Sequence, residues 1–383
     1  MEIVAGLGFW SGILLCVPSG FLLLELLFGL LRSSPLPAGL TPTRTDLLIP
    51  AHDEGAGLGQ ILKRLAETGA DGLRVIVVAD NCADDTARIA REGGAEVFER
   101  TDAARRGKPY ALEWALQRLA ADPPEVVVFL DADCWFRSGS PGLLAAQALT
   151  AKRPVQCVNL MEGKGLGAFA FRIHNEARLR GLQALGAPVQ ITGTGFAVPW
   201  DLLQKVRVPL GELAEDAVWG WSFCRAGSGP LLASNVVIAS AQAKSEKDAS
   251  VQRRRWEHGI LSAMLKNLPA LCRSAFLPPR WRRILHLLDV LIPPLALLVL
   301  LLSLSLLLGL ASGQPFAMLP AALAMGVLGV AVMLGWAVYG RSYLPFTELL
   351  LAPIYVPKKV GLYAAFLFKR ERKWVRTRRD PAE

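Results

Sequence analysis

The chain has 383 residues, of which 52% are hydrophobic, with a mean hydropathy of +0.35 and a formal net charge of +9. That share is too high for an ordinary soluble protein, and it collects in residues 3–31, 285–310 and 316–339. The charge does not call for nucleic acid, because Arg280, Arg282, Arg283 and the basic tail 369–379 flank the apolar runs, as the positive-inside rule and contact with anionic membrane lipids require.

Each apolar run is long enough to cross a hydrocarbon core of ~30 Å. The first reads as an uncleaved anchor rather than a signal peptide. It lacks a basic start and a small-residue cleavage site, and it far exceeds a signal core of ~7–15 residues. Glu25 is the one charge inside it, tolerable near a helix end or against a partner helix. Residues 32–37, Arg-Ser-Ser-Pro-Leu-Pro, form an exit linker. The six cysteines show no C-x-x-C pair and no disulfide-like framework, and they suit a reducing cytosol and membrane interior.

From residue 46 to about 240 strands and helices alternate. Residues 47–50 read as a strand and 58–67 as a helix; 73–79 form a second strand ending at Asp80. Residues 84–91 make a helix with acidic residues in its first turn, which suits the helix dipole. A short strand at 95–99, a helix at 107–120 and the apolar strand 126–130 follow. This rhythm predicts an open, largely parallel, doubly wound sheet, whose ligands bind beyond the carboxyl ends of the strands. Asp53, Asp80, Asp131 and Asp133 all fall at such ends.

Further along, 154–161 reads as a strand and 165–185 as a helix. Residues 189–199 carry Thr192-Gly193-Thr194-Gly195-Phe196, a loop whose backbone can approach a ligand. Residues 231–239 form another strand. Residues 250–271 form an amphipathic helix suited to lying on a membrane before the Pro278-Pro279 break.

Asp131-Ala132-Asp133 at a buried strand's end can hold a hard divalent cation through oxygen; turn chemistry is the competing reading. Asp80 either binds a nucleobase or ribose or caps the next helix. Lys108 either lines an anion site at a helix start or is an ordinary surface lysine. Glu215-Asp216 either supplies a base for an acceptor hydroxyl or complements a helix dipole. Gln252 and Trp256 share a helix face with Arg255 beside them, suited to stacking a sugar ring and neutralising a leaving diphosphate. The alternative there is a basic membrane-surface helix, with Arg253 and Arg254 as its best members. His52, His174, His258 and His286 show no metal spacing.

In order, Asp80, Asp131-Ala132-Asp133, Thr192-Gly193-Thr194-Gly195, Glu215-Asp216 and Gln252-x-x-Arg255-Trp256 form a set that resembles the membrane-bound family 2 glycosyltransferases, the group of cellulose and hyaluronan synthases. The resemblance runs from about residue 46 to residue 256. It implies an α/β GT-A domain with a Rossmann-like, mostly parallel sheet, a UDP-sugar donor, Mg²⁺ or Mn²⁺, and inversion at the anomeric carbon. Asp80 would bind the uridine. Asp53, Lys108, Asp131 and Arg255 would hold the nucleotide sugar, with Asp131 and Asp133 on the metal. Asp216 would be the base, supported by Glu215. Thr192, Gly193, Thr194, Gln252 and Trp256 would line the acceptor side.

The expected organisation is an anchor at 1–32, the catalytic domain at 41–248 and the Gln-x-x-Arg-Trp segment at 249–283. Two spans at 284–340 and an interfacial, basic tail at 341–383 complete it. The domain and tail are expected on the cytosolic side of the plasma (inner) membrane. About three spans are too few for a wide polymer channel by analogy with the synthases. A short or lipid-linked acceptor, such as a ceramide or polyprenyl phosphate, and separate export proteins are therefore alternatives to a polysaccharide. A non-catalytic export scaffold is the rival class; intact Asp131, Asp133 and Asp216 speak against it.

Overall fold

The computed structural model describes residues 1–31, 34–68, 72–241 and 245–368. Arg32 and the basic tail 369–379 lie outside the described residues. The chain divides into two compact units, one built from the described parts of 1–31, 163–187 and 264–368, the other from those of 34–162 and 188–263.

The second unit is built on eight strands: β1 (Thr45–Ala51), β2 (Arg74–Asp80), β3 (Glu96–Arg100), β4 (Val126–Phe129), β5 (Cys134–Ser138), β6 (Val155–Met161), β7 (Phe196–Pro199) and β8 (Leu231–Ser240). They form one sheet in the order β3-β2-β1-β4-β7-β6-β8-β5. The pairs β2–β3, β1–β2 and β1–β4 are parallel, as the βαβ rhythm predicts. The other half is mixed: β6–β8 is parallel, whereas β4–β7, β6–β7 and β5–β8 are antiparallel. β5 was not anticipated; it follows so closely on the β4 exit that the sequence reads as turn.

β4 is Val-Val-Val-Phe and wholly buried, which fits a β-branched run covered on both faces. Its alternate residues feed two cores. Val126 and Val128 join Leu47, Ile49 and the helix Gly55–Glu67 on one face. That helix buries Leu58, Ile61, Leu62 and Leu65, the i, i+3, i+4, i+7 stripe of an amphipathic helix. Val127 and Phe129 join Leu48 and the helices Lys108–Leu119 and Glu215–Arg225 on the other face. There Phe129 stacks on Phe196 at 4.6 Å between ring centroids, and Trp219 meets both edge-on at 5.3 and 5.8 Å. Phe223, one turn beyond Trp219, stacks on it at 5.8 Å. Such pairs contribute about 0.5–1.5 kcal/mol each beyond burial. They hold the helix that starts at Glu215 against the end of β4.

The first unit contains two helices long and apolar enough to cross a membrane, Glu2–Phe28 and Pro315–Gly340. The predicted middle run is broken: Trp281–Val290 and Leu295–Ala311 meet at 79°, and become a third span only if the bent pair crosses as one. Pro293 and Pro294 sit in the break, where proline removes helix donors and clashes with the preceding turn. The chain 166–184 is continuous helix with a π turn at Ile173–Ala177. Gly181 lies against the carbonyl of Glu25, which a Cβ would meet at 1.9 Å. Glu25 is fully buried and paired: Arg178 Nε donates to its Oε2 at 2.8 Å, while Arg178 Nη2 donates to Asp289 Oδ1 at 2.5 Å. The expected partner of the lone charge in the first run is therefore an arginine from the 166–184 segment. Outward-facing Leu7, Trp10, Leu14, Leu304, Leu307 and Leu323 leave this unit an apolar exterior.

Candidate active site

The site forms where β1, β2 and β4 end. At the end of β2, Asp80 is buried, and its Oδ1 accepts from Arg100 Nη1 at 2.5 Å and from Asn81 Nδ2 at 2.9 Å. Arg100 ends β3 and also donates to Asp102 Oδ2 at 2.9 Å. The following helix, Thr86–Glu92, has Asp85 at its N-cap, and the preceding Asp84 accepts from the Thr86 N–H at 3.0 Å through Oδ1. Asp80 is thus spared the capping role that competed for it in the sequence. Beside Arg100 lies a cavity of about 300 Å³ lined by Thr101, Asp102, Arg105, Tyr110 and Trp114.

Asp53, at the end of β1, has a φ of 53° and accepts from the N–H groups of Ala83 and Asp84 at 2.6 and 3.3 Å. Its carboxylate shapes the loop after β2. Asp53, Cys82 and Asp84 lie close together, but the carboxylates of Asp53 and Asp84 already serve local backbone donors, including Gly55 N–H on Asp84. His52 Nδ1 is 2.7 Å from the Asp80 carbonyl, a structural link between the two strand ends.

The loop 192–195 is the hub of the site. Gln156, fully buried on β6, accepts from Thr192 N–H at 3.0 Å and donates through Nε2 to the carbonyls of Thr194 and Gly195 at 2.9 and 3.1 Å. The Asp131 N–H donates to Thr194 Oγ1 at 2.8 Å. Gly195 N–H donates to the Phe129 carbonyl at 2.9 Å. Gly193 has a φ of 85°, and a Cβ there would lie 3.1 Å from Asp216 Oδ2. Both its conformation and its close approach to Asp216 favour glycine.

Lys108 begins the helix Lys108–Leu119, and its Nζ donates to Asp131 Oδ1 and, at 2.6 Å, to the Gly193 carbonyl. Burial disfavours its ammonium, but Asp131, Glu215 and Asp216 outweigh that and hold its pKa above the usual lysine value. Glu215 and Asp216 open their helix. Burial, then the neighbouring Asp216, pushes Glu215 up to about 7, against the pull of Lys108. Burial also raises Asp216, with the Ala217 N–H and Lys108 working the other way.

Asp131, Asp133 and Cys134 bring potential ligand atoms within 4.8 Å of one another. Mg²⁺ and Mn²⁺ take oxygen, not a buried thiol. The donor set therefore fits these ions through Asp131 and Asp133, with Cys134 hydrogen-bonding to Asp133 Oδ1 at 3.6 Å.

Gln252, Arg255 and Trp256 lie on the helix Glu246–Phe276. Gln252 is half-buried and Trp256 39% exposed. One turn on, Gly259 packs on Leu213, so the helix is braced against the loop that delivers Glu215. The structure thus gathers Lys108, Asp131, Thr192, Gly193, Thr194, Glu215 and Asp216 around one loop, with Asp80 at the neighbouring strand end. Gln156 and Arg100 were not anticipated. A buried amide in the mostly apolar strand β6 and an arginine ending β3 were the available signals.

Residues 46–198 match the Glycosyl transferase family 2 profile, and residues 156–343 match that of Glycosyl transferase family group 2. The chain carries family 2 glycosyltransferase domains of GT-A fold. Among solved structures it is similar to a mannosyltransferase, PcManGT, from Pyrobaculum calidifontis in complex with GDP-Man and Mn²⁺. Identity is 18%, coverage is 96% of this chain and 100% of that one, and the TM-score is 0.61. It is also similar to glucosyl-3-phosphoglycerate synthase from Mycobacterium tuberculosis in complex with Mn²⁺, UDP and glucosyl-3-phosphoglycerate. There identity is 20%, coverage is 58% and 80%, and the TM-score is 0.40. No curated protein matches the chain.

Proposed function

We propose that the chain is an inverting glycosyltransferase that moves a sugar from a UDP-sugar to a polysaccharide or glycolipid acceptor at the cytosolic face of a membrane. The observation that carries this reading is the convergence of Lys108, Asp131 and Asp216 on the loop 192–195. A donor diphosphate needs positive charge and a metal-binding carboxylate; an acceptor hydroxyl needs a base within reach of the same point.

Asp131 and Asp133 would hold Mg²⁺ or Mn²⁺. Such an ion, when bound, neutralises charge on the leaving diphosphate. Lys108 adds a further positive charge there. Asp80, held by Arg100, faces the nucleoside end, and Asp53 keeps the intervening loop in shape. Asp216 removes the acceptor proton. Glu215, with its raised pKa, is a poorer base at neutral pH when protonated and supports Asp216. Thr192, Gly193, Thr194, Gln252 and Trp256 line the acceptor side, and Arg255 approaches the diphosphate. The apolar helices anchor the chain in lipid, so a membrane-borne acceptor and export proteins are its natural partners.

The test is nucleotide release by the purified full chain, given membrane extract and either Mn²⁺ or Mg²⁺. Several UDP-sugars are offered, together with GDP-mannose, the donor named for the Pyrobaculum protein. Release from a UDP-sugar that stops with EDTA, and in Asp131→Asn or Asp133→Asn variants that still fold, is expected. Full activity in EDTA would remove the metal assignment. Silence with every donor would favour a non-catalytic scaffold.

A further inference from the structure

Lys108 occupies the carboxylate that a metal ion would need. Its Nζ reaches Asp131 Oδ1 and, at 2.6 Å, the Gly193 carbonyl, and it faces Glu215 and Asp216 as well. Asp131 alone is bonded to this ammonium, while Glu215 and Asp216 lie near enough for their charges to act on it. Its backbone is held at the first position of the helix Lys108–Leu119, while its four-carbon stem lets the ammonium move.

We propose that Lys108 is an internal counter-ion for the candidate metal site, resting on Asp131 in the metal-free chain and shifting to the donor diphosphate when a divalent cation binds. The proposal builds on the metal reading above and adds a competition that reading does not require. An ammonium on an Asp131 oxygen repels a second cation brought to the same carboxylate. The diphosphate offers Lys108 replacement acceptors of equal sign. Lys108 would then release the carbonyl of Gly193, the residue at which a Cβ would lie 3.1 Å from Asp216 Oδ2. Loading of metal and donor would thus be felt at the loop 192–195, where acceptor and base meet.

Mn²⁺ is the probe, titrated into the full nucleotide-free chain in detergent, with free Mn²⁺ read by its paramagnetic resonance signal. Lys108→Met is expected to bind Mn²⁺ roughly tenfold tighter or more, because like charges a few ångströms apart repel strongly even at an effective dielectric of about 20. Lys108→Arg, which keeps the charge, should bind like wild type. In EDTA, Lys108→Met should melt below wild type, and Mn²⁺ should close the gap. Lys108→Gln gives the same reading if the methionine variant does not fold. An unchanged or weaker Mn²⁺ affinity in Lys108→Met, with Asp131→Asn abolishing wild-type binding, would overturn the counter-ion role alone. No Mn²⁺ binding by wild type would overturn both it and the metal reading.

Discussion

Replacing Gln156 by leucine should loosen the loop 192–195 through its bonds to Thr192 and Thr194, although Gln156 is not itself assigned to substrate. The side chain is fully buried and makes four hydrogen bonds, to Thr192 N–H and to the carbonyls of Cys157, Thr194 and Gly195. Gly195 O keeps a second donor, the Cys157 N–H at 2.8 Å. The groups most exposed to loss are the Thr192 N–H and the Thr194 carbonyl. A buried polar group left unpaired costs about 1–3 kcal/mol, so the pair should cost about 2–6 kcal/mol. For a domain of this size each 1 kcal/mol lowers the melting temperature by about 2–4 °C. A fall of about 5–20 °C is expected. The buried Trp219 and Trp221 report it by fluorescence. Gln156→Glu should be nearly as damaging above neutral pH and milder in acid, because a protonated carboxyl can still donate to Thr194 while accepting from Thr192. A Gln156→Leu melt within 2 °C or so of wild type would show that the loop does not depend on this amide.

Asp216→Asn should leave donor binding intact and lower turnover by ~10²–10⁴-fold, the usual contribution of a positioned base, with Glu215→Gln milder; near-wild-type turnover in Asp216→Asn would move the proton elsewhere. Glu215, raised to about 7, holds a proton in the folded chain that the unfolded chain releases at lower pH. Its contribution to metal-free stability is fully present below the unfolded pKa and is lost as pH rises through about 7. Denaturation in EDTA from pH 5 to 8 should show that decline, and Glu215→Gln should flatten it; equal slopes would refute the assignment. If the bent pair crosses as one span, one crossing precedes the catalytic domain and two follow, so the domain and the C-terminus share the cytosolic side. Membrane-impermeant thiol reagent should then fail to reach cysteines placed in the domain or near the C-terminus of intact cells. Labelling near the C-terminus but not in the domain would mean that Trp281–Ala311 turns back instead of crossing.

Local patterns in the chain were enough to place β1, β2, β3 and β4, the helices between them and the carboxylates at their ends. Periodicity and β-branched runs act over a few residues, and the rule that ligands gather at strand ends needs no partner from afar. The apolar helices were legible for the same reason, since composition over some twenty residues decides bilayer compatibility. The break at Pro293-Pro294 lay in view but could not be weighed against the apolar run around it, because tertiary packing decides whether a proline kinks a span or divides it. Only the folded chain decided what depends on distant residues meeting. The antiparallel entry of β5 and β7 depends on pairing across the sheet. The bond of Gln156 to the loop 192–195 depends on β6 lying beside β7. Glu25 found its arginine only because the helix 166–184 packs on the first apolar helix. The same holds at the site: Lys108, Asp131 and Asp216 are far apart in sequence, and Asp216 comes to the loop 192–195 because the aromatic cluster around Trp219 holds the Glu215 helix against the end of β4.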